Sequence, residues 1–431
     1  MIKKLQLGTM PYHHNHCQRL AIHIVVFAVL LFSTCGYSQD ESNETQSSNI
    51  TKFINEGEFV FNGKLRFWHA NDEAARGSQA YTFGTNFGYL TKSYRGFRIY
   101  VEGESTIAIT PDRYFDGVND LTERTNVTDP ETLELNQMHI SYDDTLSSGT
   151  IMQFKVGRQA AIVEDERFIG RVSARQDDQT FDAIYAKLQN DQKGLLFEYA
   201  YMYQVNRLVA EEVDWRSDSH AFILGYYKNE MARVGLFAQL LDFQDDSPSK
   251  SNQTFGITID RGVVPKDRMA FKYKTAFAYQ SDYGDNTTAY DAFLINTELG
   301  LSLPKFGVIS AGYELASSDD GVASYQFPLS TGQRLHRISD VFIDPPADGL
   351  HNPYFTLEFN NLFWGIGGFF GYHAYLSEEE GSLLGQELDL VLAKSIVPDL
   401  LRSEITYGSF FSDDDAYTDL HIISLDLIFE L

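Results

Sequence analysis

The residues best equipped for chemistry lie in one arginine-rich stretch. It begins Gly157-Arg158-Gln159 and continues Glu164-Asp165-Glu166-Arg167-Phe168-Ile169-Gly170-Arg171. It ends Arg175-Gln176-Asp177-Asp178-Gln179-Thr180-Phe181-Asp182-Ala183. Four arginines, Arg158, Arg167, Arg171 and Arg175, fall within 18 residues, crowded by Glu164, Asp165, Glu166, Asp177 and Asp178. A guanidinium presents a planar fork of donors that matches a carboxylate or a phosphate. Such forks on a loop folded into a pore would select anionic solutes. The same composition also describes a solvated loop whose charges neutralise one another. Residue types alone leave both readings open.

Signals for other chemistries are poor. Gly365-Ile366-Gly367-Gly368-Phe369-Phe370-Gly371 fails as a dinucleotide fingerprint, because its last glycine comes one place late and no helical pattern follows. It reads better as a strand whose glycines let neighbouring aromatics pack. Neither G-x-S-x-G nor H-E-x-x-H occurs. His139, His220, His373 and His421 lie on strand-like segments. A hydrolase assembled from separate strands, or a surface binding protein with a loop-filled lumen, therefore stays open as the alternative. The acidic runs Ser318-Asp319-Asp320, Glu378-Glu379-Glu380 and Asp413-Asp414-Asp415 could hold Ca²⁺ loosely, though they read more simply as solvated loops. No resident cofactor and no metal site is expected.

The ends of the chain say what must position these residues. Residues 1–38 read as a secretory signal: Lys3, Lys4 and Arg19 precede an apolar core from Leu20 to Phe32, too short to span a membrane comfortably. A cut after Ser38 would leave Gly36 and Ser38 where signal peptidase reads small residues. The run His13-His14-Asn15-His16-Cys17 leaves with this segment, and so do both cysteines, Cys17 and Cys35, so no disulfide or thiolate metal site is expected. Residues 39–56 form a polar N-terminal segment, its first part expected to be disordered. The formal net charge is −26 and becomes more negative once the signal is lost, which argues against a nucleic-acid partner.

Residues 57–431 carry a period-2 pattern instead of a second apolar helix. Phe97, Ile99 and Val101 share a face opposite Arg98, Tyr100, Glu102 and Glu104. Met269, Phe271, Tyr273, Thr275, Phe277 and Tyr279 oppose Lys272, Lys274 and Gln280. Leu425, Leu427, Phe429 and Leu431 oppose Ser424, Asp426 and Glu430. Aromatics make up 14% of the chain, as interfacial girdles require. These features together favour, for an all-β protein, a transmembrane antiparallel β-barrel of about 18 strands in the bacterial outer membrane; a secreted soluble β-sandwich, whose apolar faces would meet a second sheet, stays open on the alternation alone. Long connections are expected at 110–130, 159–178, 205–217, 243–252, 281–289 and 317–352.

The Gly-Arg-Gln, Arg-Phe-x-Gly and Arg-Gln-x-x-Gln-Thr-Phe-Asp-Ala segments, in this order, resemble the alginate-export family of outer-membrane porins. Glu134-Leu135-Asn136-Gln137 is similar to it, and so are Gly312-Tyr313-Glu314-Leu315-Ala316-Ser317-Ser318-Asp319-Asp320, Asp340-Val341-Phe342 and Pro346-Ala347-Asp348-Gly349-Leu350. The resemblance implies a monomeric 18-strand barrel that passes an anionic polysaccharide through an arginine-lined constriction. By motif it makes Arg158, Arg167, Arg171 and Arg175 the pore candidates. Four features depart from the family pattern: Ala174 stands where a tryptophan precedes the motif arginine, the segment between His336 and Asp340 is shortened and lacks its usual tryptophan, acids crowd the arginines, and the charge without the signal is strongly negative. On the strand faces, Arg98, Glu102, Lys272 and Lys274 are further lumen candidates. The expected partners are outer-membrane lipid and an anionic solute or polysaccharide.

Overall fold

The computed structural model describes residues 51–430 apart from 161–165, 173, 210–212, 230–231, 262–264, 266–267, 331–337 and 362. The expected signal segment, residues 39–50 of the polar segment, Glu164 and Asp165 lie outside the described residues. Residues 51–55 form a helical turn. Phe53–Leu431 forms one compact unit.

That unit is a single sheet. In chain order its strands are β1 (Glu58–Asp72), β2 (Ser78–Leu90), β3 (Phe97–Ala108), β4 (Thr132–Thr145), β5 (Ile151–Gln159) and β6 (Thr180–Asn190). Next come β7 (Leu195–Asn206), β8 (Trp215–Asn229), β9 (Ala232–Leu241), β10 (Asn252–Asp260), β11 (Ala270–Asp282) and β12 (Asp291–Leu303). The last six are β13 (Gly307–Ala316), β14 (Leu350–Phe359), β15 (Gly367–Ser377), β16 (Leu383–Val397), β17 (Leu401–Ser412) and β18 (Leu420–Glu430). Each strand pairs antiparallel with its neighbours in sequence, and β18 pairs with β1, so the sheet closes. Closure matters because hydrocarbon offers no partner to an open edge. Of the glycine-rich segment read as a strand, Gly367 to Gly371 lie in β15, whereas Gly365, at φ 75°, belongs to the turn before it.

Alternation along each strand makes two different walls. Phe59, Phe87, Val101, Met138, Phe154, Leu224, Phe271 and Leu299 stand exposed on the outer face, where lipid covers them. Rings pair on this face near the short turns, as in Phe59–Tyr89 and Phe97–Tyr142, both with centroids 4.7 Å apart. Near the opposite rim Phe67 meets Tyr81 at 5.3 Å. These are the positions of interfacial girdles. The inner face carries small or polar residues, among them Ala80, Thr82, Ser219, Asn296, Thr356 and Ser424, all buried.

The connections divide by end. Turns such as 191–194, 304–306 and 398–400 are short, and the connections at the other end include 109–131, 160–179 and 317–349. In barrels of this type short turns face the periplasm and long loops face outward. The apolar core lies inside the ring at the long-loop end. Phe168 and Ile169 from one loop and Tyr325, Phe327, Leu329 and Phe342 from another pack on Phe181, Phe237, Leu294, Tyr375 and Phe410 of the wall. A fully buried side chain such as Ile169 or Leu329 adds about 1.5–3 kcal/mol to this packing. The loops are thus folded into the barrel and fastened there.

Candidate functional site

The described part of the β5–β6 connection, residues 166–179, crosses the lumen as an inner loop. On one side it is stitched to β1, β2 and β3. Lys64 Nζ donates to the Arg175 carbonyl at 2.6 Å, and Arg66 Nη2 donates to the Ala174 carbonyl at 2.6 Å. Gln176 Nε2 donates to Thr82 Oγ1 at 2.8 Å and to the Lys64 carbonyl at 3.2 Å. The Asp178 amide donates to Glu104 Oε1 at 3.2 Å. Gly84 makes the close approach feasible, since a Cβ there would come within 2.4 Å of Gln176 Oε1. On the far side Arg167 forms a buried ion pair with Glu314 of β13, eight strands round the ring from β3.

Three more loops lock against this one, the β13–β14, β7–β8 and β3–β4 connections. Ile169 and Leu329 form a parallel bridge between the inner loop and the β13–β14 connection. Gln179 Nε2 donates to the carbonyls of Gly170 (2.9 Å) and Leu329 (3.3 Å). Arg207 donates to Gln179 Oε1 at 3.0 Å and to the Pro328 carbonyl at 3.2 Å, with its guanidinium 4.1 Å over the Trp215 ring. Arg175 reaches Asp340 at 3.4 Å. The amide of Ser339 donates to Glu387 Oε1 on β16 at 2.8 Å. From the β3–β4 connection, Asp129 accepts from Arg66 Nη1 at 3.0 Å and from the Gln176 amide at 3.0 Å.

Each arginine of the motif has a definite place. Arg167 and Arg175 are largely buried, and Arg171, paired with Asp178, keeps 38% of its side chain exposed. Arg158 is different. Its register partner on β4 is the exposed Met138, and it shares the face of the exposed Val156 and Phe154. Its Nε donates to Asp182 Oδ1 at 2.8 Å, in register with it on β6. Arg158 therefore stands on the outer wall and not in the lumen, a correction to the sequence reading. The motif glycine before it has a local reason: Gly157 takes φ 119°, and a Cβ there would meet the Met138 carbonyl oxygen at 2.3 Å.

The strand candidates face inward. Glu102 is buried and accepts from Tyr100 Oη at 2.5 Å, Gln137 Nε2 at 2.8 Å and Asn136 Nδ2 at 3.1 Å. Lys272 sits between Glu298 and Glu358, 2.9 Å from each, and Lys274 lies opposite Glu298 in the register. Arg98 shares the face of Glu102 and is exposed. Register adds what composition did not reveal. Arg98 is level with Ser141 of β4, and Ser141 is level with Lys155 of β5, so the two cations stand at one height, two strands apart. That is about 10 Å across the wall. The alternation Lys155, Gly157, Gln159 opposite Phe154 and Val156 was the available signal for Lys155. Nothing in the sequence marked Lys64, Arg66 or Arg207, because their partners are remote in the chain.

The acidic runs at 318–320 and 378–380 are joined by the Ser318 amide, which donates to Glu378 Oε2 at 3.0 Å. Among the described residues, however, the carboxylates gathered closely enough to share one ion are Glu104, Glu134 and Asp177. A Ser–His contact also occurs, with Ser409 Oγ 2.6 Å from His421 Nδ1. Ser409 is completely buried, so its hydroxyl does not present itself as a nucleophile.

A closed 18-strand barrel with an apolar outer wall and charged loops folded into its lumen is a porin-type channel of the bacterial outer membrane, not an enzyme. The chain belongs to the alginate export family, whose model matches residues 86–376. Among solved structures it is similar to Pseudomonas aeruginosa OccK9 (OpdG), at 13% identity and TM-score 0.66, covering 88% of this chain and 100% of that one. It is also similar to P. aeruginosa OpdK in complex with vanillate (12% identity, TM-score 0.64, 88% and 99% covered). The third comparison is P. aeruginosa OccD3 (OpdP), at 12% identity and TM-score 0.63, with 88% and 93% covered. At these identities the likeness is one of fold. No curated protein matches the chain in sequence.

Proposed function

We propose that this channel passes anionic solutes, an alginate-like polysaccharide among them, and that one copy of the barrel forms the whole path. The observation that carries this reading is the level pair Arg98 and Lys155 on the inner wall, with Ser141 between them. Two cations about 10 Å apart on one face can hold an anionic chain loosely while it moves past. Arg171, the most exposed of the inner-loop arginines, extends the cationic surface toward the loop end. Glu102 and Glu104 stand on the same strand face as Arg98 but are buried, Glu104 beneath the inner loop, so the exposed charge on this stretch of β3 is the cation. Cations spaced in this way favour weak multisite contact over tight binding, which conduction requires.

The test is electrical. The purified barrel goes into a planar bilayer and alginate oligomers are added to one side. The reading expects open current steps interrupted by resolvable blocks whose frequency rises with oligomer concentration. Neutral oligosaccharides of equal length should block less. Open steps that both oligomers leave unchanged would keep the channel and discard the anionic glycan.

A further inference from the structure

We propose that the outer wall at the barrel seam carries a site for a phosphorylated glycolipid headgroup of the outer leaflet. The site is a pocket of 370 Å³ at the long-loop rim, where β18, β1 and β2 meet. His69 and Asn71 of β1, Gln79 of β2 and His421 of β18 supply its polar groups. His69 is level with Gln79, and Asn71 with His421, so the ladder holds all four together. They face lipid: the two β1 residues alternate with the buried Trp68 and Ala70, and Ile423, level with His69, is exposed.

The pocket is rich in donors. His69 Nε2 lies 2.8 Å from Tyr81 Oη, and His421 Nδ1 lies 2.6 Å from Ser409 Oγ, which leaves each ring one nitrogen without a partner among the described residues. Arg113, exposed on the β3–β4 connection, donates from Nη1 to Gln79 Oε1 at 3.3 Å. That bond engages the acceptor of Gln79 and leaves its amide NH₂ to donate. Arg124 of the same connection donates to the carbonyl of Gly77, another lining residue, at 3.1 Å. Among the described residues no carboxylate lines the pocket, in a chain with 60 acidic residues against 34 basic ones. The flanking acids serve the turns: Asp72 accepts from Thr418 Oγ1 at 2.7 Å, and Asp419 from the Ser412 amide at 2.8 Å. Glu123 lies 4.0 Å from Arg124, so Arg113 is the cation of the site. A guanidinium beside uncharged donors suits phosphate oxygens.

The wall beneath separates a lipid from a free anion. Toward the membrane the outer face carries Ile423 and Leu425 of β18 and Ile405 and Tyr407 of β17, all exposed. The Phe67–Tyr81 pair marks the interfacial level here. A ligand matching both parts has an anionic head at the donors and apolar chains along the wall below. The site does not depend on which solute crosses the channel.

The experiment uses the folded barrel in detergent, freed of lipid and incubated with lipid A, a diglucosamine lipid with two phosphates. Native mass spectrometry counts the lipid retained. One lipid A per barrel is expected, held more tightly than its dephosphorylated form. Arg113→Gln should weaken retention about fivefold, the worth of one cation near an anionic surface. Gln79→Glu, which sets a carboxylate among the donors, should weaken it further. Arg216→Gln, which removes an exposed cation at the same rim on β8, should leave it unchanged. Heat-modifiable migration on a detergent gel verifies that each variant is folded. Equal retention of the two lipid forms would overturn the proposal, and so would retention that survives both pocket substitutions. A loss in Arg216→Gln as large as in Arg113→Gln would overturn it too, the rim then attracting phosphate without a site. Displacement of the lipid by inorganic phosphate at equal concentration would overturn the choice of a lipid over a free anion.

Discussion

Arg66 of β1 and Asp426 of β18 face each other in register across the seam that closes the barrel, and they meet as a fork. Arg66 Nε donates to Asp426 Oδ1 at 3.0 Å and Nη2 donates to Oδ2 at 2.8 Å. The same guanidinium reaches Asp129 and the inner loop, and it stacks 4.9 Å over the Trp68 ring. One side chain thus ties the first strand, the last strand and two loops. Removing it strands two buried carboxylates. Arg66→Ala is expected to cost about 3–5 kcal/mol, the usual consequence of breaking a buried pair from one side. Urea unfolding of the barrel in lipid vesicles measures this. Arg66→Lys should fall between, because a lysine lacks the fork. Equal stability of all three proteins would show that the seam does not depend on the pair.

The ion pair between Arg167 and Glu314 holds the far end of the inner loop. Glu314→Gln leaves the guanidinium buried against a neutral amide, so the loop should detach more often. Single-channel recordings should then show larger and noisier open steps than the native protein. Steps of native size and noise would mean that the loop is held by its β1–β3 contacts alone.

Arg158 stands on the outer wall with Asp182. Its replacement by alanine should leave ion selectivity unchanged, although it sits in the most recognisable part of the family motif. The expected loss is in stability, about 1 kcal/mol or less, because the pair is partly exposed. A change of selectivity in Arg158→Ala would require its side chain to reach the lumen.

The barrel was legible because alternation is a local signal. Phe97, Ile99 and Val101 against Arg98, Tyr100 and Glu102 already define β3 and its two faces, and the long polar connections stood out between such segments. The inner loop's importance was legible in its arginines. Their partners were not. Glu314 lies 147 residues from Arg167, and Asp426 lies 360 residues from Arg66, so only the closed ring brings them together. Arg158 is the opposite case: alternation with Phe154 and Val156 already puts it on the outer face, whereas the motif alone suggests the pore. Lys155 became visible by register, level with Arg98.

The central claim is that inner-wall cations give this channel its preference for anions. The most direct measurement is the reversal potential across a planar bilayer under a salt gradient, for the native barrel and for Arg98→Ala/Lys155→Ala. The account predicts anion selectivity in the native protein, and a shift toward cation selectivity in the double variant with open steps retained. A native channel that prefers cations, or a double variant with an unchanged reversal potential, would contradict it.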